Sequence, residues 1–202
     1  MRKLFIPAIT AIALSSFTMT SCGGSGDTSA ADSLIAKLNE VKFNEVKVDS
    51  LYSMSLPDYL TEGNDLNDEA SLQYQNIYKE VYVIVIDEPK QDFIDVFKEI
   101  GEYDEAKSPI DNYAESQMKS IEETMEKVSK KTEFSKKKIN GNEARVADVA
   151  GTQAGIEGEM GFKAAFVEGK DNLYMIMTWT FESSKDKYEA DMTKMIESFK
   201  EQ

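Results

Sequence analysis

The sequence predicts an α+β domain in which helices pack on a central antiparallel sheet. Stretches with the two-residue alternation of strands are interspersed with longer stretches whose apolar residues recur at helical spacing. The order of these stretches is β-β-β-α-α-β-β-β-β-α, which contains little of the alternation that builds a parallel sheet. A doubly wound nucleotide-binding fold is therefore disfavoured.

The first 21 residues predict a secretory signal peptide. Met1-Arg2-Lys3 is a short basic start, and residues 4–19 form an uncharged, largely apolar stretch. Pro7 interrupts this stretch, which is also shorter than the about 20 apolar residues of a membrane-spanning helix. We therefore expect residues 1–21 to be a leader and not a membrane span.

Residues 19–22 (Met-Thr-Ser-Cys) resemble the lipobox of bacterial lipoproteins, in which the cysteine is lipidated and becomes the first mature residue. Met19 departs from the usual Leu. Acyl chains on Cys22 would hold the protein on a membrane, since each buried CH2 adds about 0.8 kcal/mol of affinity. Gly23, in place of Asp, implies outer-membrane sorting by the rule for Gram-negative lipoproteins. The alternative is a secreted protein with a stray cysteine.

Residues 22–45 are predicted to comprise the lipidated cysteine and a tether. The stretch from Gly23 to Ala31 is small and polar, which is typical of a flexible linker. The segment 32–44 then carries apolar residues at helical spacing, which leaves open a short helix that docks on the domain or extends the tether. The folded domain is predicted to span residues 46–202.

Three strands are predicted in the first part of this domain. Residues 52–57 alternate apolar and Ser residues and end at a Pro, and a second short strand covers 72–74. Residues 81–86 (VYVIVI) are apolar on both faces, which predicts a central strand that is covered on both sides. The acidic stretch 61–69 between the first two strands is predicted to be a loop.

Two helices follow. Pro89 opens the first, which carries an apolar stripe of Phe93, Val96, Phe97 and Ile100. Ser108, with Pro after it, is a favourable helix start, and the second stripe continues through Met125 to Val128 for about five turns.

The last part of the chain is predicted to form four strands and a final helix. Asn140-Gly141 is the favoured dipeptide of a type I′ hairpin between two β stretches. Residues 161–167 and 173–181 complete the meander. The final helix carries an inward stripe of Tyr188, Met192, Met195, Ile196 and Phe199.

Composition excludes several classes of function. Without the leader the chain has 21 basic and 37 acidic residues, a net charge of −16 that opposes binding to nucleic acid. The chain has no His, which excludes a Ser-His-Asp triad and His-ligated zinc. A single Cys excludes an intrachain disulfide. We therefore expect no nucleic-acid partner, no cofactor and no enzyme of these classes.

One basic cluster stands out in this acidic chain. It consists of six lysines within twelve residues, Lys127, Lys130, Lys131, Lys136, Lys137 and Lys138. They could complement a helix C-terminus and protect an edge strand from aggregation. The functional alternative is a docking patch for an acidic partner or for lipid phosphates.

The other candidate sites favour ordinary structural roles. Asp65, Asn67 and Glu69 open like a calcium loop but lack the Gly and Glu that such a loop needs further on. Glycines recur through 151–161, but a strand and not a helix follows them, which argues against a phosphate loop. Glu157 and Glu159 could pair as in a glycosidase, but nothing in the sequence separates their pKa values.

Several features together resemble the PsbP-like fold family over about residues 46–200. They are Ser55-Leu56-Pro57 at a strand end, the strand 81–86, a long helix before residues 139–144 (INGNEA), a Tyr-bearing strand and a final helix with 196–199 (IESF). This family includes the PsbP proteins of photosystem II, DcrB-like envelope lipoproteins and a Ran-binding nuclear-import factor. The resemblance implies a central antiparallel sheet sandwiched by helices, and a protein-binding function without catalytic or metal residues.

The favoured hypothesis is a lipid-anchored, non-catalytic binding or adaptor protein of the bacterial cell envelope, with an envelope protein as partner. One alternative is a carboxylate- or metal-dependent envelope enzyme, which would need a deep cleft with convergent acids. Another is a periplasmic ligand carrier, which would need an enclosed apolar cavity.

Overall fold

The computed structural model describes residues 41–202. The predicted signal peptide, Cys22 and the tether up to residue 40 lie outside the described residues. The strands are β1 (Phe43–Val48), β2 (Tyr52–Pro57), β3 (Thr61–Glu62), β4 (Leu72–Asn76), β5 (Val81–Pro89), β6 (Lys127–Lys131), β7 (Ser135–Ile139), β8 (Asn142–Thr152), β9 (Glu159–Glu168), β10 (Asn172–Phe181) and β11 (Lys200–Glu201). The helices are α1 (Lys90–Glu99), α2 (Pro109–Glu123) and α3 (Lys185–Glu197), the last preceded by a short 3-10 turn.

The main sheet is antiparallel and eight-stranded. Its order is β3-β4-β5-β10-β9-β8-β6, and β7 also pairs with β8. β7 pairs with residues 142–146 of β8, and β6 pairs with residues 149–152. These two short strands therefore form one interrupted edge strand along β8.

Layers on both faces cover the main sheet. A small sheet of order β1-β2-β11 and helix α3 cover one face, and α1 and α2 cover the other. The predicted α+β class, with a central antiparallel sheet sandwiched by helices, is confirmed. The small sheet adds strands to one of the helical layers, which the sequence analysis did not anticipate.

Successive side chains of β10 point alternately into the two cores. Tyr174 and Ile176 point to the side of α3 and the small sheet, whereas Met175, Met177 and Trp179 point to the side of α1 and α2. All five are at most 5% exposed. Successive strand residues face opposite sides, so a strand buried on both faces is apolar throughout.

The second predicted helix is shorter than expected. Ser108 caps α2 as predicted, with its Oγ 3.3 Å from the Asp111 amide nitrogen. However, α2 ends at Glu123, and Val128 lies on the edge strand β6 and not on a fifth helical turn. Residues 127–131 pair with β8, and these ladder hydrogen bonds outweigh the helical periodicity of an exposed segment.

Two further differences concern the N-terminal side. β1 begins at Phe43, three residues before the boundary placed at residue 46. The predicted loop 61–69 contains the two-residue strand β3. Within residues 41–202, no helix is both long enough and apolar enough to span a bilayer.

Candidate docking surfaces

The six predicted docking lysines lie together on the edge of the main sheet. Lys127, Lys130 and Lys131 are on β6, and Lys136 to Lys138 are on β7. We call these six residues the lysine edge. Charged side chains on an edge strand oppose pairing with a strand of another molecule, so the position fits the protective role considered above.

Most of the lysine edge forms ion pairs within the chain. Within the described residues, five of its lysines contact a carboxylate: Lys130 with Glu182 (3.5 Å), Lys131 with Glu122, Lys136 with Asp111 (3.3 Å), Lys137 with Glu197 (3.0 Å) and Lys138 with Glu143 (3.2 Å). An acidic partner would therefore compete with the chain's own carboxylates for these ammonium groups.

The Asp111 carboxylate also joins this edge to the core. The buried Arg145 on β8 donates from Nε to Asp111 Oδ1 at 2.6 Å. Hydrogen bonds from Arg145, Ser108 and Lys136 lower the pKa of Asp111 well below its usual value. The charge pair holds the start of α2 against β8.

The end of β4, near the other edge of the main sheet, lies close to Lys42, near the start of the described chain. The Asp58 amide donates to Lys42 O at 2.8 Å, and the neighbouring Tyr59 carbonyl accepts from Asn76 Nδ2 at 2.6 Å. The turn between β4 and β5, residues 77–80, therefore lies beside the point where the chain enters the domain. We call this region the tether end and residues 77–80 the tip.

The tip exposes two large apolar side chains. Ile77 is 55% exposed and Tyr78 is 84% exposed. This pair is not among the sequence-based predictions, although two adjacent apolar residues in a polar turn between predicted strands are a readable signal. Single exposed apolar residues are common, but an adjacent pair on a turn is a candidate contact surface.

A groove also opens between β1 and β4. It has a volume of about 430 Å³ and is lined by residues 46–49 at the end of β1, by Glu62 and Gly63, and by residues 70–74 of β4 and its preceding loop. The groove is open to solvent. It differs from the deep cleft expected of an enzyme and from the enclosed cavity expected of a carrier.

The far end of the sheet is closed by contacts to the C-terminal segment. Asn140 Nδ2, in the β7–β8 turn, donates to the carbonyls of Glu197 (3.1 Å) and Phe199 (2.7 Å). Ser198 Oγ accepts from the Ser55 amide at 2.7 Å. Phe199 is fully buried. We call this region the closed end.

The carboxylate of Glu201 completes the closed end. It accepts hydrogen bonds from the Lys170 amide (3.0 Å), Asn142 Nδ2 (3.0 Å) and Tyr174 Oη (3.3 Å). A side chain at Gly169 would clash with this carboxylate. Burial, with the negative charge of Glu201 adding to it, raises the pKa of Tyr174 to about 12.

A partly buried ionic cluster holds α3 on the sheet. Asp148 Oδ1 lies 2.8 Å from Lys185 Nζ and 3.1 Å from Lys163 Nζ, and Lys163 Nζ lies 2.8 Å from Glu189 Oε1. Burial alone would raise the pKa of Asp148, but the two ammonium groups outweigh it and lower the pKa. Removing one member of such a cluster is costly, which indicates a structural role.

A partly buried carboxyl lies between α2 and the main sheet. Gln117 Nε2 donates to Glu88 Oε1 at 3.2 Å. Burial raises the pKa of the Glu88 carboxyl above its ordinary value. Glu88 is near the end of β5 that is paired with Asn172, so it belongs to the closed end.

The remaining predicted candidates have structural surroundings. Asn67 Oδ1 accepts from the Glu69 amide at 2.8 Å, which makes this acidic stretch a self-bonded turn. Gly151 and Gly161 lie inside β8 and β9, where an added side chain would clash with Lys127 and Glu182 respectively. No group of three or more potential metal ligands is clustered within residues 41–202.

Comparison with known proteins supports the fold. No protein-family model and no curated protein sequence matches the chain. The solution structure of PsbP (CyanoP) from the cyanobacterium Synechocystis is similar, with a TM-score of 0.50 and 11% identity over 91% of this chain and 99% of that one. The domain has a PsbP-like fold.

Two other solved structures are similar at lower scores. The Saccharomyces cerevisiae Ran-binding protein Mog1p has a TM-score of 0.47 and 8% identity over 80% of this chain and 96% of that one. LpqN, involved in cell envelope biogenesis of Mycobacterium tuberculosis, has a TM-score of 0.46 and 9% identity over 88% and 99%.

The three short motifs behind the PsbP-like resemblance meet at the closed end. Ser55 of the first bonds Ser198 of the last, and Asn140 of the middle one bonds the carbonyls of Glu197 and Phe199. These motif residues therefore hold the PsbP-like domain together. Their contacts are structural, and the tip lies away from them at the tether end.

Proposed function

We propose that this protein is a lipid-anchored, non-catalytic binding module of the bacterial cell envelope, sorted to the outer membrane. The observation that carries the proposal is the lipobox-like stretch 19–22, which follows an apolar leader and ends at the only cysteine of the chain. The partner in this proposal is an envelope protein.

Two features support a module that works beside a membrane. Twenty positions separate Cys22 from Lys42, where the described chain joins the tether end. A flexible segment of this length reaches about 25 Å, which is enough to keep a small domain close to a bilayer while it meets a partner. The PsbP-like fold supplies a rigid sheet with surface turns on which binding residues can be displayed.

The anchor is tested by Cys22→Ser. We expect this variant to move from the membrane fraction to the soluble fraction, because the acyl chains supply the membrane affinity. Ser21→Ala is the matched control, since it keeps a small residue before the cysteine. Retention of Cys22→Ser in the membrane fraction, or an unmodified thiol in the mass spectrum of the natural protein, would contradict the proposal.

Within this proposal, the lysine edge is the candidate docking surface for the partner. We expect Lys136→Gln, Lys137→Gln and Lys138→Gln together to reduce cross-linked capture of the envelope partner several-fold, because the substitutions remove the positive charges. Gln is preferred to Glu because it introduces no repulsion with the facing carboxylates.

The control removes the same charge elsewhere. Lys47, Lys98 and Lys170 also form exposed ion pairs and belong to neither β6 nor β7, so their combined change to Gln is matched in charge. Equal capture by the two triple variants would assign the lysine edge a protective role alone. Such a result would leave the anchor untouched.

A further inference from the structure

The tip lies beside the point where a membrane tether would leave the domain. Lys42 is bonded to Asp58, and the adjacent Tyr59 contacts both flanks of the tip. Its carbonyl accepts from Asn76 Nδ2, and its ring lies 5.0 Å from Lys79 Nζ. Any anchor upstream of Lys42 therefore pulls on the same end of the molecule that carries the exposed apolar pair.

Hydrogen bonds stabilise the conformation of the tip, in which the apolar side chains are exposed. Asn76 Oδ1 accepts hydrogen bonds from the amides of Tyr78 (3.1 Å) and Lys79 (2.8 Å). The Asn76 side chain thus fixes the turn from both ends, through its oxygen here and its nitrogen at Tyr59. The fixed turn leaves Ile77 and Tyr78 exposed, and a preorganised surface costs less entropy on binding.

We infer that the tip enters the headgroup region of the bilayer that holds the acylated Cys22. This inference rests on the anchoring proposed above. Tyr has an apolar ring with a polar hydroxyl and is enriched at membrane interfaces. Ile77 adds apolar surface, and Lys79 has an apolar stem with a charged end that can stay in water.

The charges around the tip select the kind of lipid. Glu80 belongs to the tip and Asp58 precedes Tyr59, which contacts the tip, and the chain without its leader carries a net charge of −16. An anionic lipid surface would therefore repel the domain. The lipid assigned to the tip is a zwitterionic one, which leaves the contact to the apolar pair.

Two side chains are too few to hold a domain on a membrane without an anchor. Once the domain is tethered, the contact becomes intramolecular and its effective concentration rises to the millimolar range or so for a short flexible linker. The untethered domain should therefore stay in solution, whereas the tethered domain should rest on the bilayer with the tip inward. The anchor then sets the orientation of the domain as well as its location.

The single cysteine allows a direct test without natural lipidation. The unacylated mature chain (residues 22–202) is coupled through Cys22 to phosphatidylcholine vesicles that contain a maleimide lipid. Tyr78→Trp reports the tip, and Ile100→Trp is the matched control, because Ile100 is also an exposed apolar residue but lies at the end of α1 on the other face of the sheet. The native Trp179 is buried and gives a constant background.

The expected result is that the emission of the Tyr78→Trp variant shifts to the blue on coupling and that its added indole is mostly quenched by brominated phosphatidylcholine. The emission of the Ile100→Trp variant should stay unchanged. Emission of the Tyr78→Trp variant that does not change on coupling, or quenching that is equal in the two variants, would overturn the inference. Because the maleimide supplies the anchor, such a failure would not bear on the lipidation of Cys22, which the Cys22→Ser fractionation tests separately.

If a second copy of the chain or another protein contacts the tip instead of lipid, the same variants give different results. Self-association would shift the emission of the Tyr78→Trp variant with protein concentration in solution, before any vesicle is added. A protein occupant would leave the indole added by Tyr78→Trp unquenched on the vesicle, while Ile77→Ser with Tyr78→Ser abolishes capture of the cross-linked partner. Either outcome would overturn the assignment to lipid.

Discussion

The two ends of the main sheet differ in how their side chains are used. At the closed end, Asn140, Ser198 and Glu201 join turns and strands that are far apart in sequence, around the buried ring of Phe199. At the tether end, Ile77 and Tyr78 are exposed to solvent on a turn that contacts with Asn76 and Tyr59 support. A nine-residue strand of about 30 Å, β5, separates the two ends.

The side chains of the closed end contribute to the stability of the domain, whereas the exposed side chains of the tether end are available for contact with other molecules. Cooperative long-range contacts make the closed end costly to disturb, whereas the tether end can change its exposed residues without loss of fold. The exposed apolar contact residues of the tip therefore lie away from the motifs that resemble the PsbP-like family.

The largest expected effect on the free energy of unfolding is the difference between truncating an aromatic side chain at the closed end and truncating one at the tether end. Phe199 packs against Tyr52 and Tyr174, with ring centroids at 5.2 and 4.9 Å. Phe199→Ala should lower the free energy of unfolding by about 3–5 kcal/mol because it leaves a cavity in the core.

Tyr78→Ala should change the same quantity by less than about 0.5 kcal/mol. Urea unfolding of the mature chain, followed by far-UV circular dichroism, measures both variants. Similar losses from the two substitutions would remove the distinction between the ends.

A smaller effect is expected at Asn140, which has a φ of 48° and makes two side-chain hydrogen bonds. Asn140→Gly keeps the left-handed backbone at little cost and removes the two bonds, so it should lower the free energy of unfolding by about 1–2 kcal/mol. Asn140→Ala should lower it by about 1 kcal/mol more, because Ala is strained at this φ. A Gly variant as stable as wild type would show that the amide does not help to close this end.

The smallest effect is expected at Glu88 and depends on pH. Burial raises the pKa of this carboxyl in the folded protein, so its ionised form disfavours folding at neutral pH. Glu88→Gln should therefore raise the free energy of unfolding at pH 7, because the amide carries no charge that burial would disfavour. The gain should disappear as the pH falls below about 4, where Glu88 is protonated in both folded and unfolded chains.

Thermal unfolding of both proteins across this pH range measures the difference. The same gain at pH 7 and in acid would mean that packing, and not charge, causes it. A loss at pH 7 would mean that the ionised carboxylate stabilises the closed end.

Local patterns predicted most of the main sheet. The Asn140-Gly141 turn, the doubly apolar strand 81–86 and the capping residue Ser108 are each confirmed, because a few adjacent residues decide them. The start of strand β6, up to Val128, was predicted as the last turn of a helix. Its residues 127–131 are all exposed, so only pairing with β8 makes them a strand.

The candidate surfaces were predicted only in part. The lysine edge was visible as a cluster in sequence, but its ion pairs join elements that local patterns cannot bring together, such as Lys137 and Glu197, which are 60 residues apart. The tip was missed for the opposite reason. Its two apolar residues are adjacent in sequence, but their place beside Lys42 depends on the contacts that Asp58 and Tyr59, after β2, make with Lys42 and Asn76.

The sequence by itself determined the α+β class, the two-sided burial of the central strands and the positions of the main turns, since these follow from short-range periodicity and backbone preference. The tertiary structure alone decided the pairing of the edge strands, the small sheet and the meeting of the PsbP-like motifs at one end. Ser55 and Ser198, for example, are bonded across 143 positions. Contacts over such distances carry no local signal, because they exist only once both cores have formed.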